Sequence, residues 1–283
     1  MTFLPARDCA LRDLGSGTGR CLRAASGDGG LSPMALLAGP LLTWLVVAQA
    51  APPGLECLAR HTGLDVGRNA EGRPGLVLPS GEVVPWDDGR RKTPEGRLED
   101  PDLEDTLATP YRRTPPGPVM DPAEDPGRAR VEALMDALYG PRDRVRAVAV
   151  AVKLGGGTVK VHPRVAPALH RVAARLEALA RESPDVAAAL RRPAGGWANR
   201  DIAGTRRPSA HAWGGAVDID TRVSDYWRWA RPGARWRSRV PPAVVEAFEA
   251  EGFIWGGRWY HFDTMHFEYR PELLDPACAP SPR

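Results

Sequence analysis

The chain has 283 residues, with 38 Lys and Arg against 35 Asp and Glu and a formal net charge of +3. Such a balance excludes the strongly cationic surface expected of a nucleic-acid binder, and the length permits one well-buried core with an appendage. Arginines between Arg200 and Arg239 are interleaved with Asp201, Asp218, Asp220 and Asp225, which reads either as a solvated face or as a surface attracting anionic polymers or carboxylates.

From Met34 the chain runs MALLAGPLLTWLVVAQAAPPG, an apolar stretch closing on Ala48-Gln49-Ala50. That small-x-small ending is what signal peptidase reads, and the run is shorter than the roughly 20 residues of a membrane span. Residues 1–50 are therefore expected to be a leader whose signal peptide starts at Met34, and the mature chain is expected to be exported to the periplasm or the extracellular space with no stable membrane span. Removing the leader takes Cys9 and Cys21 with it, leaving Cys57 and Cys278 near the two ends. In an oxidising compartment these form either one disulfide or two free thiols.

Residues 51–127 are dense in Pro, Gly, Asp and Arg, with a turn signal at Trp86-Asp87-Asp88-Gly89. This composition buries little apolar surface and predicts an extended wrap or linker. Order is expected from Arg128: Val131, Leu134, Met135 and Leu138 share a helical face that Gly140-Pro141 ends. Val148, Val150 and Val152 then alternate with alanines before a triple-glycine turn, predicting a hairpin. Val165, Leu169, Val172, Leu176 and Leu179 mark an amphipathic helix, with His170 off its stripe and His162 at its entry, both read as structural. After a loop at Gly195-Gly196 comes SAHAWGGAVDID, then an aromatic and Arg-rich connection, a helix from Pro241 to about Ala250, and HFDTMHFEYRPEL. Mixed hairpins and helices predict an α+β domain over 128–276, with a small antiparallel sheet flanked by helices and a tail at 277–283.

A catalytic zinc takes three protein ligands and keeps a fourth position for water. His211, Asp218 and His266 supply such a set. Gly214-Gly215 predicts a turn that folds His211 back onto Asp218 in the strand AVDID, and Asp220, two residues on, is placed to orient a ligand. Asp263 and His266 are three apart, so they serve one site only if Thr264-Met265 bends the strand. Asp263 is then the candidate base that takes a proton from water and passes it to the leaving amine. His261 is the rival ligand, but its odd separation from His266 turns it to the other side. Glu268 lies on the face of His266, where it braces a ligand, accepts an arginine or faces solvent. Trp255, Trp259 and Tyr260 read as core or cleft wall.

Ser209, His211, Gly214, Ala216 and Asp218, followed by Asp263, His266, Phe267 and Glu268, resemble the D-alanyl-D-alanine carboxypeptidase (VanY-like) and L-alanyl-D-glutamate endopeptidase family of zinc peptidases. The resemblance is strongest from about Gly195 to Leu274. It implies the hedgehog / D-Ala-D-Ala peptidase-like fold, one Zn2+ per chain on His211, Asp218 and His266, and Asp263 as the base. It further implies Arg200 as the group holding a substrate carboxylate or the developing oxyanion, and Ser209 as a contact to the peptide backbone or a brace for its loop. The expected activity is hydrolysis of peptidoglycan stem peptides, as a D,D-carboxypeptidase or an endopeptidase, by a monomer that binds no nucleic acid. A zinc-bearing binding module of the same fold without catalysis, as in the hedgehog signalling domain, is the alternative, and Asp263 argues against it because such a module needs no base. A metal-free wall-binding protein is a third.

Overall fold

A computed structural model describes residues 50–113, 117–237 and 239–279 of the chain; the apolar run of the expected leader and its two cysteines lie outside them. Among the described residues no helix is long and apolar enough to cross a membrane.

Helix α1 (Pro53–Thr62) opens on a proline, which suits a first turn whose amide lacks a partner anyway, and ends on Gly63 at φ +76°. An antiparallel sheet of β1 (Val66–Arg68), β2 (Pro74–Val77) and β3 (Val83–Pro85) follows. Two short helices, α2 (Pro94–Glu99) and α3 (Leu103–Leu107), come next, α3 held by a reciprocal capping box between Asp102 and Asp105. The extended wrap expected over 51–127 is thus replaced, from Pro53 to Leu107, by helices and a sheet. Their small core joins Leu55, Leu58, Leu76, Leu78, Val84 and Leu103 to Leu134 of the next helix, and polar clusters supply the rest. Lys92, only 8% exposed, sits 2.8–3.0 Å from carboxylates of Asp88, Asp102 and Asp105. Cys57 and Cys278 form a disulfide that ties α1 to the C-terminal turn. The turn at Trp86–Gly89 is present, with Gly89 at φ +78° and its amide donating to Asp87 Oδ1.

Helix α4 (Glu132–Tyr139) buries Leu134, Met135 and Tyr139. A single helical turn, α5 (Val145–Val148), then leads into the hairpin of β4 (Val150–Leu154) and β5 (Gly157–Val161). The expected alternation begins two residues late: Val148 ends α5 and is exposed, as is Val150, whereas Val152, Leu154, Val159 and Val161 are buried. A run of Val and Ala looks alike on both faces, so the inward face is set by the partner strand. Helix α6 (Ala166–Glu182) buries Val172 and Leu176 beneath the hairpin as the apolar spacing predicts, and Ser183 both ends it and caps α7 (Pro184–Ala189).

The last sheet positions the site. It pairs β6 (Ala216–Asp218) and β7 (Phe253–Trp255) antiparallel on either side of β8 (His266–Tyr269), in the order β6-β8-β7. Helix α8 (Pro242–Ala250) covers one face, where Phe248 stacks on Phe267 at 3.9 Å. The mixture of small antiparallel sheets and helices is the α+β architecture expected. The opposite face of β8 carries His266 and Glu268.

Candidate metal centre and active-site cleft

Strand register brings the first two donors together. Asp218 is the direct partner of His266 across β6 and β8, and facing residues of an antiparallel pair share one side of the sheet. His211 arrives from a 3-10 turn, Ala210–Trp213, that Ser209 caps by accepting from the His211 amide and that Gly214 ends at φ +64°. No other residue fits there, since a Cβ on Gly214 would lie 2.7 Å from the His162 nitrogen. Remote parts of the chain thereby place His211 Nε2, His266 Nδ1 and Asp218 Oδ1 at 3.2 Å from one another.

The other ring nitrogens fix the tautomers. His211 Nδ1 donates to the Gly196 carbonyl at 2.6 Å, and His266 Nε2 faces Glu268 Oε2 at 3.4 Å. With both imidazoles neutral, as metal ligands must be, each ring turns a lone pair toward the Asp218 carboxylate, and three electron-rich atoms converge. A tetrahedral ion with bonds of about 2.0–2.1 Å needs ligand atoms about 3.3–3.4 Å apart, so this donor set fits zinc. Burial alone would raise the Asp218 carboxyl, but the two imidazoles hold it well below the usual carboxylate range. Burial likewise disfavours a charged His266, yet Asp218 and Glu268 push that imidazole up to about 9. Glu268 is fully buried and kept ionised against that burial by Arg130, which grips it through two nitrogens.

Asp263 lines the same open cleft as the three donors. The bend that the three-residue spacing requires is present: the His266 amide donates to the Asp263 carbonyl at 3.2 Å. Its Oδ1 is buried without a hydrogen-bond partner, and burial, reinforced by Asp218, pushes its carboxyl up to about 6. A carboxylate so placed is a ready proton acceptor. Arg200 also lines the cleft, near enough to favour the ionised form of Asp263, and its guanidinium makes no hydrogen bond among the described residues. Ser209 reaches the cleft while its side chain braces the His211 turn.

One expectation changes. Asp220 does not orient a donor; it caps the next turn and pairs with Arg222, because the strand ends at Asp218 and the chain turns away. Glu268 takes that place, being two residues from His266 on the same face. His261 is outside the donor set, as expected, but it faces the cleft with Nδ1 held by Asp125 at 2.6 Å. Asp125, Arg128 and Arg130, which line or brace this site from the chain before α4, carried no recognisable signal, since nothing local marks a partner 138 residues away. Gly196 was legible only as loop, although a Cβ there would meet the Lys160 carbonyl at 2.2 Å and displace the His211 acceptor. Trp255 and Trp259 are buried wall, as expected, their indole nitrogens donating to Thr264 and Pro126 carbonyls.

A further group, Cys57, His61, Asp275 and Cys278, also has metal-ligating types within reach of one another, but there the two sulfurs are already joined. Compared with known proteins, residues 203–269 match the family model described as D-alanyl-D-alanine carboxypeptidase. No curated protein and no solved structure matches significantly. The matched segment holds Ser209, His211, Asp218, Asp263 and His266, the residues that carried the resemblance, and over that segment the chain is similar to the peptidases of the D-alanyl-D-alanine carboxypeptidase family.

Proposed function

We propose that this chain is an exported, zinc-dependent peptidase that hydrolyses amide bonds in peptidoglycan stem peptides, in the manner of a D,D-carboxypeptidase or a related endopeptidase. The observation that carries the reading is the convergence of three lone-pair donors 3.2 Å apart in a cleft that also holds an unpartnered carboxylate. His211, Asp218 and His266 would hold the metal, one per chain. Bound there, zinc supplies the Lewis acidity that makes water a nucleophile near neutral pH.

The protein's own groups do the rest. Asp263 takes the proton of the attacking water on its carboxylate and delivers it to the leaving amine. Arg200 offers its fork to a carboxylate or to the oxygen on which charge develops. Gly196 and Glu268 hold the two rings so that the donor atoms need no rearrangement on metal entry. The catalytic domain is proposed to span 128–276, following the 51–127 segment. Export is supported by the leader expected before residue 51 and by the disulfide, which is at home in an oxidising compartment.

Mass spectrometry of defined muropeptides after incubation with zinc-replete protein tests this. Loss of a terminal alanine marks the carboxypeptidase, scission between the first two stem residues marks the endopeptidase, and unchanged masses refute both. Asp263→Asn should retain its zinc and lose about 10²–10⁴-fold in kcat.

A further inference from the structure

The residues before α4 form a strap, 124–130, laid along the segment that carries Asp263. The Glu124 carbonyl accepts from the Tyr260 amide at 2.9 Å, the Pro126 carbonyl from the Trp259 indole at 2.7 Å, and the Gly127 carbonyl from Arg270 at 3.0 Å. Gly127 has φ +81°, and a Cβ there would come within 2.6 Å of Ile254 Cδ1, so the strap cannot lie elsewhere without losing its seat. The strap itself lies outside the residues that match the peptidase family model, whereas Ile254, Trp259 and Tyr260, which seat it, lie within them.

The strap delivers one polar unit into the cleft. Asp125, 8% exposed at its side chain, accepts from the His261 amide at 3.0 Å and from Arg128 Nη1 at 2.8 Å, and it holds His261 Nδ1 at 2.6 Å. Its two oxygens are thereby occupied in fixing two cleft residues. Arg128 is 11% exposed and lines the cleft beside His211, Asp263 and Arg200. Its Nε and Nη2 make no hydrogen bond among the described residues. Of the other arginines lining the cleft, Arg130 is engaged with Glu268 and Arg228 lies over the ring of Trp227, which leaves Arg128 and Arg200 as the two guanidinium groups open to a ligand. A guanidinium whose position is set by one carboxylate, with two nitrogens of its planar fork still free, is arranged to receive a second carboxylate side-on.

We propose that Arg128, positioned by Asp125, binds a free carboxylate of the substrate and so selects which stem peptides enter, distinct from any role of Arg200. This rests on the peptidase reading for the identity of the ligand. A stem peptide carries more than one carboxylate, and the one gripped sets which amide lies over the three donors. Arg128 is in this sense a specificity residue for the reaction.

The test is a mutant cycle between protein and peptide. Stem peptides are amidated at one carboxylate at a time, and kcat/KM is measured for wild type, Arg128→Ala and Arg128→Lys. One amidation should cost wild type at least about tenfold, the worth of a charge-assisted hydrogen bond. That same amidation should cost Arg128→Ala almost nothing, and Arg128→Lys, which keeps charge but loses the fork, should fall between. If every amidation costs Arg128→Ala as much as wild type, the proposal is overturned. Calorimetric titration of the same peptides into zinc-loaded Asp263→Asn protein, with and without Arg128→Ala, reads the cycle without turnover. Absence of hydrolysis by wild type alongside a carboxylate-dependent binding difference would sink the peptidase activity and leave the clamp standing; equal binding of acid and amide would sink the clamp itself.

Discussion

Glu268 carries no accessible surface, yet it is charged. Replacing it with leucine removes the partner of Arg130, whose side chain is 8% exposed, while Arg270 keeps Glu272 and the Gly127 carbonyl. The cost therefore concentrates on one uncompensated buried guanidinium, about 3–5 kcal/mol. Against a total stability of about 5–15 kcal/mol, that is a large fraction, equivalent to about 6–20 °C in melting temperature for a domain of this size. Urea unfolding in the presence of chelator measures it without contribution from bound metal. The double variant Arg130→Met/Glu268→Leu removes both charges and should recover most of the loss, because an apolar pair of similar volume escapes the desolvation cost.

The pH dependence has a fixed sign. Arg130 holds the folded-state carboxyl of Glu268 below its ordinary value of 4.5, against the opposing effect of burial. Its contribution is therefore complete above that value and is lost as pH falls below it. The gap between wild type and Glu268→Leu should shrink on acidification. The single variant should also bind zinc about 10–100-fold more weakly, since His266 Nε2 loses its acceptor. A loss of less than about 1 kcal/mol at neutral pH, or a double variant no better than the single, would refute the reasoning.

Lys92→Met strands three carboxylates that the ammonium now joins; it should cost about 3 kcal/mol in a thermal melt, and less at low pH where those carboxylates protonate. Cys57 and Cys278 should resist thiol labelling until reduced, and because their bond closes a loop spanning 221 residues, Cys57→Ser should lower stability by up to about 5 kcal/mol. Gly196→Ala pushes a methyl group into the Lys160 carbonyl and should weaken zinc binding through His211 while leaving the far-ultraviolet spectrum unchanged, which equilibrium dialysis against a chelator would detect.

What could be read in advance follows a physical division. His211, Asp218 and His266 were legible as candidates because two imidazoles and a carboxylate form a metal donor set carried by two motifs in order, and because the glycines between His211 and Asp218 let the chain fold back. The bend at Thr264-Met265 was legible because a three-residue step on a straight strand puts Asp263 and His266 on opposite faces. Glu268 was legible as a face-mate of His266. Its partner Arg130 was not, because an ion pair across 138 residues leaves no local trace. Composition misled over 51–127: a segment poor in apolar residues can still fold when a lysine buried among carboxylates, a capping box and a disulfide share the work. Asp220 failed for a different reason. Same-face periodicity holds only while a strand continues, and β6 ends at Asp218.

The two halves of the cleft are built on different principles, and the difference bears on how such an enzyme could change its substrate. The proposed metal donors rest on backbone pairing: Asp218 faces His266 in the sheet, and its amide and carbonyl also bond the Gly195 and Ala194 backbone. Movement there would cost ladder hydrogen bonds as well as coordination geometry. The opposite wall is a strap held mainly by side chains and by carbonyls accepting from them, with Asp125 as its pivot. Side-chain contacts of that kind can be exchanged one at a time without disturbing the sheet. In a cleft so divided, the proposed hydrolytic chemistry rests on the part that matches the family model, while the proposed selectivity of Arg128 rests on residues that lie before it in the chain.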